Sequence, residues 1–129
     1  RVLFRSLRAI GSPGFPFDEE RARERTRINV RRSVDPMGLP RQLAAIIDDG
    51  DRTKRLATVT TPTLVLHGED DPLVKLAAGE ATAKAIAGSR IVTVPGWGHD
   101  VPLELIDQLA GEIADHAAQA SPKVREAAE

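Results

Sequence analysis

Cysteine is absent from this 129-residue chain. Its absence excludes disulfides, a thiolate nucleophile and the common thiolate zinc sites, and it fits a cytoplasmic protein. Net charge is almost absent as well: 18 basic against 19 acidic residues leave -1 at pH 7, so no global field recruits nucleic acid or a membrane. No run of about 18 apolar residues is present to span a bilayer. No signal peptide is visible, and no segment repeats. What is present, 41% hydrophobic and 29% charged residues, is the composition of one small soluble globular domain.

The chain also lacks an initial methionine. Arg1-Val2-Leu3-Phe4-Arg5-Ser6 reads as an adapter translated in frame, which predicts a non-native start over residues 1–6 joined to an incomplete gene. The stretch from Leu7 to Phe17 carries Gly11-Ser12-Pro13-Gly14 and Pro16, and it predicts a loop whose Phe15 and Phe17 either pin it to a core or line a pocket. Asp18 is a good N-cap for a helix over 19–32, with Glu19 and Glu20 suited to the first turn. That helix is rich in arginine, which invites a nucleic-acid reading. Interleaved glutamates and the lack of aromatic residues for base stacking favour a solvated helix with a thin apolar stripe at Ala22, Ile28 and Val30. Asp35-Pro36 opens another helix in which Leu39, Leu43, Ile46 and Ile47 recur at helical spacing, predicting one buried face; Gly50 stops it. Asp51 caps a short helical turn reaching about Ala57.

Thr61-Pro62 then announces a strand over 63–67, apolar at consecutive positions as in a strand covered on both faces of a parallel sheet. An alanine-rich helix over 75–87 ends at Gly88, and a second strand runs from Arg90 to Val94. Strand–helix–strand implies a right-handed crossover and parallel pairing. A last helix covers 102–118, and the charged residues from Ser121 to Glu129 form a tail expected to fray.

Two stretches organise the rest. Leu64-Val65-Leu66-His67-Gly68-Glu69-Asp70-Asp71-Pro72 runs from a strand into two aspartates, and Val92-Thr93-Val94-Pro95-Gly96-Trp97-Gly98-His99 runs from a strand into a histidine. Each strand thus delivers a catalytic-type side chain just past its carboxyl end, where open parallel sheets place their sites. An acid that orients a histidine is two thirds of a nucleophile–base–orienter relay.

These motifs resemble the α/β-hydrolase family over residues 61 to about 118. The separation of 28 residues between Asp71 and His99 suits one helix and one strand. The loop from Gly11 to Glu20 and the stretch Arg41-Gln42-Leu43-Ala44-Ala45-Ile46 are most similar to the aclacinomycin methylesterase-type branch. The resemblance implies an α/β fold: the carboxy-terminal part of an α/β-hydrolase, with its last two parallel strands and flanking helices over 61–119. Part of a helical cap would precede them over 7–60, and a tail would follow over 120–129. It also implies a carboxylic ester hydrolase using a Ser-His-Asp triad, acting on a small-molecule ester without a cofactor. Asp71 matches the acid and His99 the base.

The sequence departs from the family pattern at the nucleophile. None of Ser6, Ser12, Ser33, Ser89 and Ser121 lies in G-x-S-x-G, and Ser12 sits in a glycine–proline loop rather than between a strand and a helix. His67-Gly68 follows the wrong strand to serve as an oxyanion-hole loop. The nucleophile is therefore expected upstream, outside this chain, which alone should be inactive.

Each candidate has a bland counterpart. Asp70 rivals Asp71, and both could simply cap the following helix. His67 is expected to be a satisfied structural histidine, and His116 to face solvent. Asp100 is expected to be exposed or to cap the last helix. Trp97 could wall a substrate pocket or cover the helix below it. Asp71, His99 and His67 could be imagined as a metal set, but the relay accounts for two of them without a metal. Non-catalytic ligand binding, or epoxide, C–C or halide chemistry on the same scaffold, are the alternative functions. Unpaired strand edges and apolar faces predict that the isolated chain aggregates or remains molten.

Overall fold

A computed structural model describes residues 2–120. Four helices come first: α1 (Val2–Ile10), α2 (Glu19–Arg32), α3 (Gly38–Asp49) and the single turn α4 (Thr53–Leu56). Strand β1 (Leu64–Gly68), helix α5 (Leu76–Ala85) and strand β2 (Arg90–Val94) follow, then a 3-10 turn (Leu103–Leu105) leading into α6 (Ile106–Ala120). The two strands pair in parallel with Leu64 opposite Arg90 and Gly68 opposite Val94, and α5 is the crossover between them.

Local chemistry accounts for most boundaries. The Asp18 carboxylate accepts the Arg21 N–H at 2.9 Å and starts α2. Asp51 accepts the Thr53 N–H at 2.8 Å ahead of α4. Gly50, at φ +59°, ends α3 in a conformation that glycine adopts without penalty. The core lies under the carboxyl end of β2, where Val94, Trp97, Leu105 and Leu109 bury one another, with Phe15 and Leu66 packed against them. The last turns of both strands are therefore held on a packed base, which is what a site at that edge requires.

Three expectations are corrected. Residues 7–10 belong to α1, not to a loop, because the punctuating glycines and prolines begin only at Gly11. Residues 2–6 lie in the same helix. The apolar face of α3 is not buried: Leu39 is 75% exposed, and Leu43, Ile46 and Ile47 are exposed too, because no other element among the described residues packs on α3. The last helix starts through a 3-10 turn after Pro102, not directly at residue 102. The tail from Ser121 lies outside the described residues.

Candidate active site

The two strands end side by side, and the loops that follow are zipped together. The Glu69 N–H donates to the Val94 carbonyl at 3.1 Å and the Asp70 N–H to the Trp97 carbonyl at 3.0 Å. Asp70 itself accepts the Gly96 N–H through Oδ2 at 2.8 Å. Gly68 permits this closeness: a Cβ there would drive into the Trp97 carbonyl. The chain can thus leave both strands in adjoining turns, and it brings Asp71 and His99 to one place.

His99 Nδ1 and Asp71 Oδ2 stand 2.8 Å apart. The carboxylate can only accept, so Nδ1 carries the proton and Nε2 presents its lone pair. The imidazole side chain is 40% exposed, whereas Asp71 is 8% exposed. Asp71 Oδ1 accepts the N–H groups of Leu73 at 2.8 Å and Val74 at 2.9 Å, so both oxygens are occupied and the carboxylate is held in one orientation. Burial pushes the Asp71 carboxyl up. The hydrogen bonds from Val74, His99 and Leu73, together with the charge His99 carries when its ring is protonated, outweigh that and hold it below its ordinary value. An ionised acid that fixes one tautomer of a partly exposed histidine is an arrangement able to accept and return a proton at Nε2.

The geometry separates the rivals. Asp70 faces the Gly96 backbone and Asp71 faces the imidazole. His67 donates from Nε2 to the Val74 carbonyl at 2.8 Å, tying the strand to the turn that carries Asp71. Among the described residues no group of three or more His, Asp or Glu stands close enough to hold a metal ion. Trp97 is 9% exposed and buried against Leu105 and Leu109. Its indole N–H donates to the Asp100 carbonyl at 2.5 Å. Of the two roles left open for it, these contacts support the packing one. Phe15 and Phe17 line a cavity of about 400 Å3 with Arg8, Asp70 and Pro72, and Phe15 also packs on the core, so the loop is both pinned and pocket-forming.

Two more expectations change. His116 is half-buried and its Nε2–H reaches the Pro62 carbonyl at 3.3 Å, because α6 lies along the start of β1. Asp100 does not cap the last helix; its Oδ1 accepts the Ser12 hydroxyl at 2.5 Å. Ser12, which lacks the sequence pattern of a nucleophile, is instead a partner of this loop. Nothing local signals a contact between residues 88 positions apart.

The chain is similar to several known proteins. The model of the TAP-like protein family of α/β-hydrolases matches residues 46–106, which include both strands, Asp71 and His99. Over these residues the chain is similar to α/β-hydrolases. A non-heme chloroperoxidase of Burkholderia pyrrocinia is 44% identical over 50 residues, covering 38% of this chain and 18% of the relative. A bifunctional esterase/perhydrolase of Acinetobacter calcoaceticus is 34% identical over 53 residues, 40% of this chain and 19% of its own length. A rhodomycin D methylesterase of Streptomyces sp. (strain C5) is 33% identical over 70 residues, 54% of this chain and 24% of the relative. The last is of the aclacinomycin methylesterase type to which the loop and helix residues pointed. The chain thus spans about a fifth of the length of the curated relatives it matches. The parallel pair, its crossover helix and the closing helix are a partial α/β-hydrolase fold.

Proposed function

We propose that this chain supplies the acid and the base of a serine-type carboxylic ester hydrolase. The observation that carries the reading is the 2.8 Å contact of His99 Nδ1 with an Asp71 carboxylate whose other oxygen is fixed by two backbone N–H groups. A serine outside this chain attacks the ester carbonyl while His99 Nε2 takes its proton. Asp71 stabilises the imidazolium without itself becoming protonated. The alcohol leaves with the proton from Nε2. Water then gives its proton to Nε2 and attacks the acyl group, releasing the carboxylic acid and the free serine. The helices before β1 act as part of a cap over the site.

None of Ser12, Ser33 and Ser89 is hydrogen-bonded to the imidazole. Ser12 serves Asp100, and Ser89 serves the Ala83 carbonyl at 2.6 Å. This is why the proposal assigns the nucleophile to a segment outside the chain. Sequencing the source DNA upstream of the Leu7 codon tests that directly. The expected result is an open frame running back through a strand, a G-x-S-x-G turn and a helix; an aspartate at the nucleophile position would move the reading to epoxide or halide chemistry. In that longer protein, His99→Ala is expected to abolish turnover of simple aryl esters, and unchanged turnover would sink the triad.

The two relatives named as chloroperoxidase and perhydrolase favour a second reading on the same groups. Hydrogen peroxide would replace water as the second nucleophile, and the acyl group would leave as a peracid. Peracid release on adding peroxide to the esterase reaction distinguishes the two.

A further inference from the structure

The His99 loop is gripped from a second side, by residues far away in the sequence. The Ile10 carbonyl, at the end of α1, accepts the His99 N–H at 2.8 Å. The Gly14 N–H donates to the Gly96 carbonyl at 2.9 Å. Between them, Ser12 is 9% exposed, and its hydroxyl makes two bonds: it accepts the Gly98 N–H at 2.9 Å and donates to Asp100 Oδ1 at 2.5 Å. Residues 98, 99 and 100 are thus all tied to residues 10 and 12. The backbones meet so closely that a Cβ on Gly98 would drive into the Gly11 carbonyl, and a Cβ on Gly14 would stand 2.6 Å from the Gly96 Cα.

We propose that Ser12 is a positioning residue for His99. This rests on the reading of His99 as the base. The Ser12 hydroxyl is the one side chain of the 10–14 segment that bonds on both sides of His99. Its donation occupies the Asp100 carboxylate, the acidic side chain next to His99 in sequence and the natural competitor of Asp71 for the ring N–H. Its acceptance holds the Gly98 peptide, which sets the direction in which the imidazole leaves the backbone. Removing the hydroxyl frees the Asp100 carboxylate and leaves the Gly98 N–H without an acceptor. Both changes loosen the Asp71–His99 contact, and with it the fixed tautomer that keeps Nε2 unprotonated and nucleophilic.

The test is acylation of imidazole nitrogen by diethyl pyrocarbonate on the complete hydrolase proposed above, followed site by site by mass spectrometry. It is run at about pH 8, where ordinary imidazoles are neutral. His67 and His116 in the same molecule are internal references. Asp71→Asn is expected to slow modification of His99 relative to both references. If it does not, the Asp71–His99 reading itself fails, independently of Ser12. Ser12→Ala is expected to slow His99 to the Asp71→Asn rate with the references unchanged, and Ser12→Thr, which keeps a hydroxyl, to restore it. The proposal is overturned if Ser12→Ala leaves the His99 rate where it was. It is equally overturned if that variant shifts all three histidines together, since the loop would then be a general fastener. Failure of Ser12→Thr to recover any of a His99-specific loss would also overturn it.

Discussion

Asp70 and Asp71 are adjacent carboxylates with different partners, and the difference is testable. In the complete hydrolase proposed above, Asp71→Asn should lower kcat by about 10^3–10^4-fold, because the amide no longer fixes the His99 tautomer or stabilises the imidazolium. Asp70→Asn should cost far less, since it meets only the Gly96 N–H, which an amide oxygen also accepts. Steady-state kinetics on both variants checks this. The lowered pKa of Asp71 also makes a statement about stability. A carboxyl held below its ordinary 3.8 stabilises the fold while ionised; that contribution is complete above about pH 4 and is lost as pH falls through the lowered native value. Melting temperatures of the complete hydrolase should therefore fall across that acid window, and Asp71→Asn should flatten this part of the slope. Gly68→Ala should destabilise by about 1–3 kcal/mol in a denaturant titration, because the new methyl meets backbone that cannot swing away.

At the scale of elements, β1, α5 and β2 are strongly specified, and α3 is specified only as a helix. The consecutive apolar residues of both strands and the alanine-rich crossover agree with their positions in the fold. The apolar stripe on α3 predicts a buried face, yet Leu39, Leu43, Ile46 and Ile47 are exposed. Periodicity reports which face would be buried if something covered it; it contains no information on whether a cover is present. Leu43→Lys should accordingly leave the denaturant midpoint within about 0.5 kcal/mol of the parent while lowering light scattering. A large loss of stability would mean that this face packs in solution.

At the scale of the whole molecule, the pair of parallel strands has two open edges among the described residues, and exposed apolar side chains occur from α2 to α6. Such a surface favours self-association over a dispersed monomer. The chain should show concentration-dependent association by analytical ultracentrifugation and bind a hydrophobic dye. Sharp, dispersed NMR resonances from a monomer would contradict this. Among the described residues no helix is long and apolar enough to cross a membrane.

The sequence by itself determined the α/β class, the extent of α2 and β2, the parallel pairing and the pair of motifs after the strands. These are consequences of local signals: a cap, a glycine, a run of apolar residues, a crossover of one helix. It named Asp71 and His99 as candidates but separated Asp71 from Asp70 only by resemblance. Tertiary structure decided what depends on partners distant along the chain. It paired Asp71 with His99 and Asp70 with Gly96. It turned the Trp97 indole into the core and left α3 uncovered. It drew Ser12 across 88 residues to Asp100, a contact that no spacing or composition encodes because it exists only once the ends of α1 and β2 meet.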